Sequence, residues 1–301
     1  MNEVTHSAPF TLSRAAASEW PAVCRLLFPE TNATPPSDQI LASRDPTAVF
    51  VARDSAGQLR AAALVQALPG ALGVAWPPRG DSPTATAAVL RAACEWLRGS
   101  RVKVCQAFPE TTTSGHQALW ERCGFRRTTQ LVFLEYDCRQ EGLPAQPPRQ
   151  EFALVAIHDP LQPDFTRTVL ATHEDTNDCP ELNHSRTPEQ IVEGMVSLEG
   201  QWFLAQHDSE AVGVMNLKLN TDRNVVELQY LGVVPAQRRR GYGSDLLKYA
   251  ILGAIAAQTD GVTVAVDARN TAARHLYTHG GFVERDRREV WLAHLGEAKR
   301  K

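Results

Sequence analysis

Three arginines followed by two spaced glycines, Arg238-Arg239-Arg240-Gly241-Tyr242-Gly243, form a stretch whose residue types could hold an anion. Glycine lets the backbone turn into conformations other residues avoid and lets a ligand come close. If a helix starts here, its first N–H groups have no partner within the helix, and its dipole favours negative charge at that end. The chemistry on offer is capture of a phosphate-sized group. A plain strand-to-helix turn with a solvated arginine run would use the same residues, so from these six alone both readings stand open.

The flanking elements are those such a site needs. Leu228 to Val234 is an apolar run closed by Pro235, which predicts a buried strand. Along Asp245 to Gln258, Leu246, Leu247, Ala250, Ile251, Ala254 and Ile255 repeat at helical spacing and give one apolar face. Val262 to Asp267, VTVAVD, predicts a further strand.

Arg238-x-x-Gly241-x-Gly243 resembles the pyrophosphate loop of the GNAT superfamily of N-acetyltransferases. Asn270-Thr-Ala-Ala273-Arg-His-Leu-Tyr277, followed by Gly281-Phe282, is similar to that family's second signature. Glu227 stands 14 residues before Gly241, where histone-type members carry a general base. The resemblance is strong over about Trp202 to Leu295 and weaker elsewhere. It implies that acetyl-CoA lies in a V between the strands Leu228–Val234 and Val262–Asp267. Backbone groups of Leu231, Gly232 and Val233 would hold the pantetheine arm and thioester carbonyl. Arg238, Arg239, Arg240, Gly241, Tyr242, Gly243 and Ser244 would hold the pyrophosphate, with Asn270 and Ala273 completing the cofactor site.

The same resemblance implies two catalytic residues, Tyr277 and Glu227. A phenol of reference pKa about 10 suits protonation of a departing thiolate, which makes Tyr277 the acid; as packing it would be an aromatic anchor on its helix. A carboxylate near the attacking amine makes Glu227 the base; the other reading is a solvent-facing strand carboxylate, or one paired with Arg223 or Lys218. Asn270 would fix the pantetheine or simply cap the helix that follows.

The chain has 301 residues, 43% hydrophobic and 22% charged, with net charge −3. It is long enough for two ordinary domains, and nothing in its charge argues for nucleic acid. Six cysteines without CxxC spacing read as reduced thiols, not as a disulfide frame or a metal site. No apolar run reaches transmembrane length and the N-terminus has no signal-peptide pattern, so the expectation is a cytoplasmic protein with no membrane partner.

Upstream, Ala48–Arg53, Leu59–Leu68, Ala71–Trp76, Val102–Ala107 and Thr129–Tyr136 predict strands. Ser82-Pro83 opens a predicted helix, and Gly115–Arg122 predicts another. Arg139 to Gln150, rich in Pro and Gln, reads as a linker between domains at 1–140 and 151–301. Leu119-Trp120-Glu-Arg-Cys-Gly124-Phe125 matches Leu276-Tyr277-Thr-His-Gly-Gly281-Phe282 at an offset of 157, and Val74-Ala-Trp-Pro77 matches Gly232-Val-Val-Pro235 at 158. Two matches at nearly one offset indicate a repeat. The fold expectation is therefore α/β (α+β): two tandem GNAT-like domains, each a mixed, centrally splayed sheet flanked by helices, similar to mycothiol synthases. In the first copy Pro83, Ala85, Pro69, Thr113 and Trp120 stand where the second has Gly241, Gly243, Glu227, Asn270 and Tyr277. That copy reads as degenerate.

The functional expectation is transfer of an acetyl group from acetyl-CoA to a primary amine, on a small molecule or a peptide, with no metal. A non-catalytic acyl-CoA-binding or sensor protein is the alternative. Thr172 to Arg186, with Glu174, Asp175, Asp178 and Glu181, reads as the wall of the acceptor pocket or as a solvated loop.

Overall fold

The computed structural model describes residues 10–29, 47–109, 117–149 and 152–296. Thr113, the start of the helix expected from Gly115, and residues 297–301 lie outside them.

Contacts divide the chain into two units. The first is Met1–Thr128 with Glu289–Lys301, and the second is Thr129–Arg288. In the first unit, strands β1 (Thr11–Arg14), β2 (Thr47–Arg53), β3 (Leu59–Leu68) and β4 (Leu72–Ala75) pair antiparallel in sequence, with a short β5 (Arg79–Gly80) beside β3. Strand β6 (Val104–Ala107) pairs parallel with β4, and the C-terminal part of β13 (Val283–His294) pairs antiparallel with β6. Helices α1 (Trp20–Leu27), α2 (Pro83–Gly99) and α3 (Gln117–Arg122) supply apolar faces; Ser82 caps α2 by accepting from the N–H of Ala85. Trp120 is buried edge-on against Phe125, at a centroid distance of 4.8 Å.

The second unit repeats the pattern. Strands β8 (Phe152–Ile157), β9 (Gln201–His207), β10 (Glu210–Asn220) and β11 (Val225–Val233) are antiparallel neighbours, and β12 (Gly261–Asp267) pairs parallel with β11. β7 (Arg126–Asp137) then pairs antiparallel with β12, from Leu131↔Asp267 to Asp137↔Gly261. The helices are α4 (Cys138–Glu141), α5 (Pro163–His173), α6 (Pro188–Val196), α7 (Tyr242–Ala256) and α8 (Thr271–His279). A complete capping box, Thr187 with Gln190, opens α6 as its sequence requires.

The boundary differs from the expected linker. The strand expected at Thr129–Tyr136 falls in the expected first domain, 1–140, and the end of β13 in the expected second; instead each half of the chain gives its last strand to the other unit's sheet. The reason is pairing and burial. Val132, Leu134 and Tyr136 of β7 alternate inward onto the core formed with Leu246, Leu247 and Ala250 of α7, while Trp291, Leu292 and Ala293 of β13 are buried beside β6. Arg139 to Arg149 therefore lies inside the second unit.

Candidate functional site

The parallel pairing of β11 with β12 covers Val225↔Gly261, Val226↔Val262 and Glu227↔Thr263, and then stops. Beyond that point the facing N–H and C=O groups of the two strands have no ladder partner in each other, which leaves backbone donors and acceptors for a ligand. One residue further on, the β10–β11 register shifts, from Leu217↔Leu228 to Asn216↔Tyr230, so Gln229 is a bulge. A bulge adds twist and bends its strand, here at the mouth of the splay.

The splay opens into a cavity of about 430 Å³. Leu231, Gly232 and Val233 line it from β11, and Arg238, Arg239 and Gly243 from the loop. Asn270, Ala273 and Tyr277 line it from α8. Gly232 is a close approach: a Cβ there would lie 2.7 Å from Thr172 Cβ and 2.9 Å from Tyr230 Cε1. Asn270 caps α8, its Oδ1 accepting from the N–H of Ala273 at 3.2 Å. Tyr277 is 5% exposed, and burial, with Asp178 and Tyr230 adding to it, holds its phenol well above the ordinary value. It stays a proton donor throughout the physiological range.

The loop has the geometry of an anion nest. Arg239 (φ 61°) and Gly241 (φ 90°) are left-handed, and Gly241 is the N-cap of α7. Among the described residues no backbone acceptor engages the N–H groups of Arg239 to Gly243 outside the helix's own bonds. Other parts differ from the sequence reading. Tyr242 is buried, with the Arg149 guanidinium 4.6 Å above its ring, so only its backbone faces the loop. Ser244 lines a separate surface cavity with Lys248 and His275, and Arg240 is exposed outside the cleft.

Arg238 differs most. Its Nε donates to the carbonyl of Val233 (3.1 Å), its Nη2 to those of Thr172 (3.2 Å) and Glu174 (2.6 Å), and its Nη1 to that of Asp175 (3.3 Å). The guanidinium ties the end of α5 to the end of β11 and is not free for phosphate.

A second cavity, of about 570 Å³, holds Glu227. It shares Leu228, Gln229, Val264 and Ala265 with the first. The register puts Glu227 beside Thr263 and Thr263 beside Glu135, in one row across β11, β12 and β7. Glu227 accepts from Asn220 Nδ2 at 2.7 Å. The cations once open as its partners are engaged elsewhere: Lys218 bonds Glu199 at 2.7 Å, and Arg223 approaches Glu135 at 3.9 Å.

Residues 169–282 match the family model described as "Acetyltransferase (GNAT) family". That range contains the splay, the loop, Glu227 and Tyr277. The matched range lies within the second unit. Over 89 residues the chain is 33% identical to N-alpha-acetyltransferase 30 of Xenopus laevis and of Homo sapiens, a stretch that is 29% of this chain. The match spans 32% and 24% of the length of those relatives. A GCN5-related N-acetyltransferase from Sphaerobacter thermophilus resembles the fold with a TM-score of 0.63 at 16% identity, covering 97% of both chains. A tandem GNAT protein from the clavulanic acid biosynthesis pathway does so with a TM-score of 0.60 at 17% identity, covering 96% of this chain and 100% of its own. The fold is thus α/β, with mixed splayed sheets flanked by helices, and its structural neighbours include a tandem GNAT protein.

The acidic segment after α5 does not line the second cavity; Thr172 and Asp175 to Asp178 line the first. Two of its four carboxylates, Glu181 and Asp178, are held internally. Arg269 grips Glu181 at 2.7 and 2.9 Å and thereby lowers its pKa, and Asp178 accepts from the N–H of Asp267 at 2.8 Å. Cys179 is buried and its thiol is pushed up to about 12 by burial, so it is no nucleophile at neutral pH.

Tyr230 went unread in the sequence. Its hydroxyl meets Thr172 Oγ1 at 2.8 Å and His173 Nδ1 at 3.3 Å, and burial pushes its phenol up to about 12. The signal was the polar pair Gln229-Tyr230 interrupting an apolar run. Arg149, whose Nε is 2.6 Å from the buried Asp245, also went unread, because it lay in the supposed linker.

Arg238→Lys is expected to lower the melting temperature and weaken acetyl-CoA binding together, since one ammonium cannot reach four carbonyls in the fork geometry of a guanidinium. Thermal unfolding with and without acetyl-CoA checks this. An unchanged melting temperature with weakened binding would return Arg238 to a direct phosphate contact.

Proposed function

We propose that this protein is an acyl-CoA-dependent N-acyltransferase that moves an acetyl group from acetyl-CoA to a primary amine by direct attack in a ternary complex. The observation that carries this is the pair of cavities meeting at the splay, with a buried phenol in one and a carboxylate free of ion pairs in the other. The amine must lose its proton to attack, and the leaving thiolate must gain one. Glu227 takes the first proton, directly or through water, and Tyr277 supplies the second. Backbone groups of Leu231 to Val233 hold the pantetheine arm and thioester carbonyl, and the N–H groups of Arg239 to Gly243 hold the pyrophosphate. Asn270 and Ala273 wall the cleft.

The first unit plays a structural part. Pro83 opens α2 where a phosphate loop would need an N–H, and Trp120 fills the core at the position equivalent to Tyr277. Calorimetric titration of the full chain should give one acetyl-CoA per chain. The same protein should release CoA with at least one member of a panel of small amines and peptide N-termini. Two sites per chain would overturn the degenerate-copy reading. Tight binding with no release from any amine would favour a non-catalytic acyl-CoA sensor.

A further inference from the structure

We propose that the amine acceptor also carries a carboxylate, and that Arg285 on β13 receives it. The proposal rests on the acyl-transfer reading above and narrows the substrate class to amino acids and their relatives. The second cavity is lined by three carboxylates, Glu135, Glu227 and Asp286, and by three guanidinium groups, Arg223, Arg285 and Arg288. Four of the six pair with one another: Arg288 with Asp286 at 3.0 Å, and Arg223 with Glu135 at 3.9 Å. Among the described residues neither Glu227 nor Arg285 has an ion-pair partner within 4.0 Å. What remains in the cavity is one carboxylate and one guanidinium.

That remainder has a chemical complement. The carboxylate faces an ammonium that must become an amine, and the guanidinium offers a planar fork that fits a carboxylate with two parallel bonds. A purely cationic acceptor, such as a polyamine, would meet Glu227 but be repelled by Arg285. An uncharged amine would make no charge-assisted bond to the guanidinium. Between the charges lies neutral surface from Phe133, Thr263, Val264 and Ala265, with Arg288 lying 5.8 Å from the Phe133 ring centroid. A volume of about 570 Å³ falls within the range of small-molecule sites.

The test is CoA release by the full chain with three matched sets of probes: α-amino acids and dipeptides, their C-terminal amides, and the same amines without the carboxylate. The carboxylates should be the best acceptors. Arg285→Gln should lower their kcat/KM roughly 10- to 100-fold, the worth of a charge-assisted hydrogen bond or two, mainly through KM. Rates with the amides should be nearly unchanged. Arg285 is exposed on its strand, so this variant should fold, and acetyl-CoA affinity, read by calorimetry, should stay the same. Equal or faster turnover of the amides or simple amines by the native protein would overturn the proposal. So would an equal loss on all three sets in Arg285→Gln. Failure to bind acetyl-CoA would instead count against the acyltransferase reading itself.

Discussion

Tyr277→Phe should lower kcat by roughly 10²–10⁴-fold, the usual cost of losing a general acid, and should leave acetyl-CoA affinity and melting temperature nearly intact. Phenylalanine keeps the ring that packs against Phe282 at 5.7 Å and removes only the hydroxyl in the first cavity. The pH dependence follows from the direction of the shift. The acid works only while protonated, and burial raises its pKa above the ordinary phenol value near 10. Its loss by titration therefore begins above that value, and the native protein should show no decline from this group between pH 7 and 10. A tyrosine that only packs would instead cost stability and little turnover. Full kcat in a well-folded Tyr277→Phe protein would pass the acid role to water or to the Tyr230 hydroxyl in the same cleft.

The parts of this site legible in the sequence are those made by neighbours in the chain. A strand, a glycine turn and a helix start are local features, so the strand at Leu228 and the loop at Arg238 to Gly243 follow from apolar spacing and glycine chemistry, whereas the splay beside that strand was implied only by the family resemblance. The Asn270 cap is local in the same way. What the sequence did not disclose depends on which surface a residue meets. The Arg238 guanidinium has the type and spacing of a phosphate ligand, yet four carbonyls from α5, the two residues after it and β11 take it, because α5 ends within its reach. Glu181 and Asp178 in the loop after α5 look free until Arg269 and the Asp267 N–H arrive from β12 and its following turn. Strand β7 reads as the end of one repeat, since propensity cannot say which sheet a strand joins; its partner, β12, comes more than 120 residues later.

Glu227→Gln should lower kcat/KM at neutral pH by roughly 10²–10⁴-fold, with acetyl-CoA affinity unchanged because Glu227 lies in the other cavity. Glutamine keeps the side-chain shape and an oxygen that can still accept from Asn220 Nδ2, so the hairpin before β11 should hold. The lost group is one that can take a proton. Without it, only amine already neutral in solution can attack, and that fraction grows roughly tenfold for each pH unit below the amine's own pKa. The variant's rate should therefore climb with pH and approach the native rate near the pKa of the acceptor. A binding role for Glu227 would produce something else: a raised KM with the native pH profile. Glu135 stands in the same row, one strand beyond Thr263, and is a second carboxylate facing that cavity. Native rates in Glu227→Gln together with a pH-dependent loss in Glu135→Gln would move the base across that row.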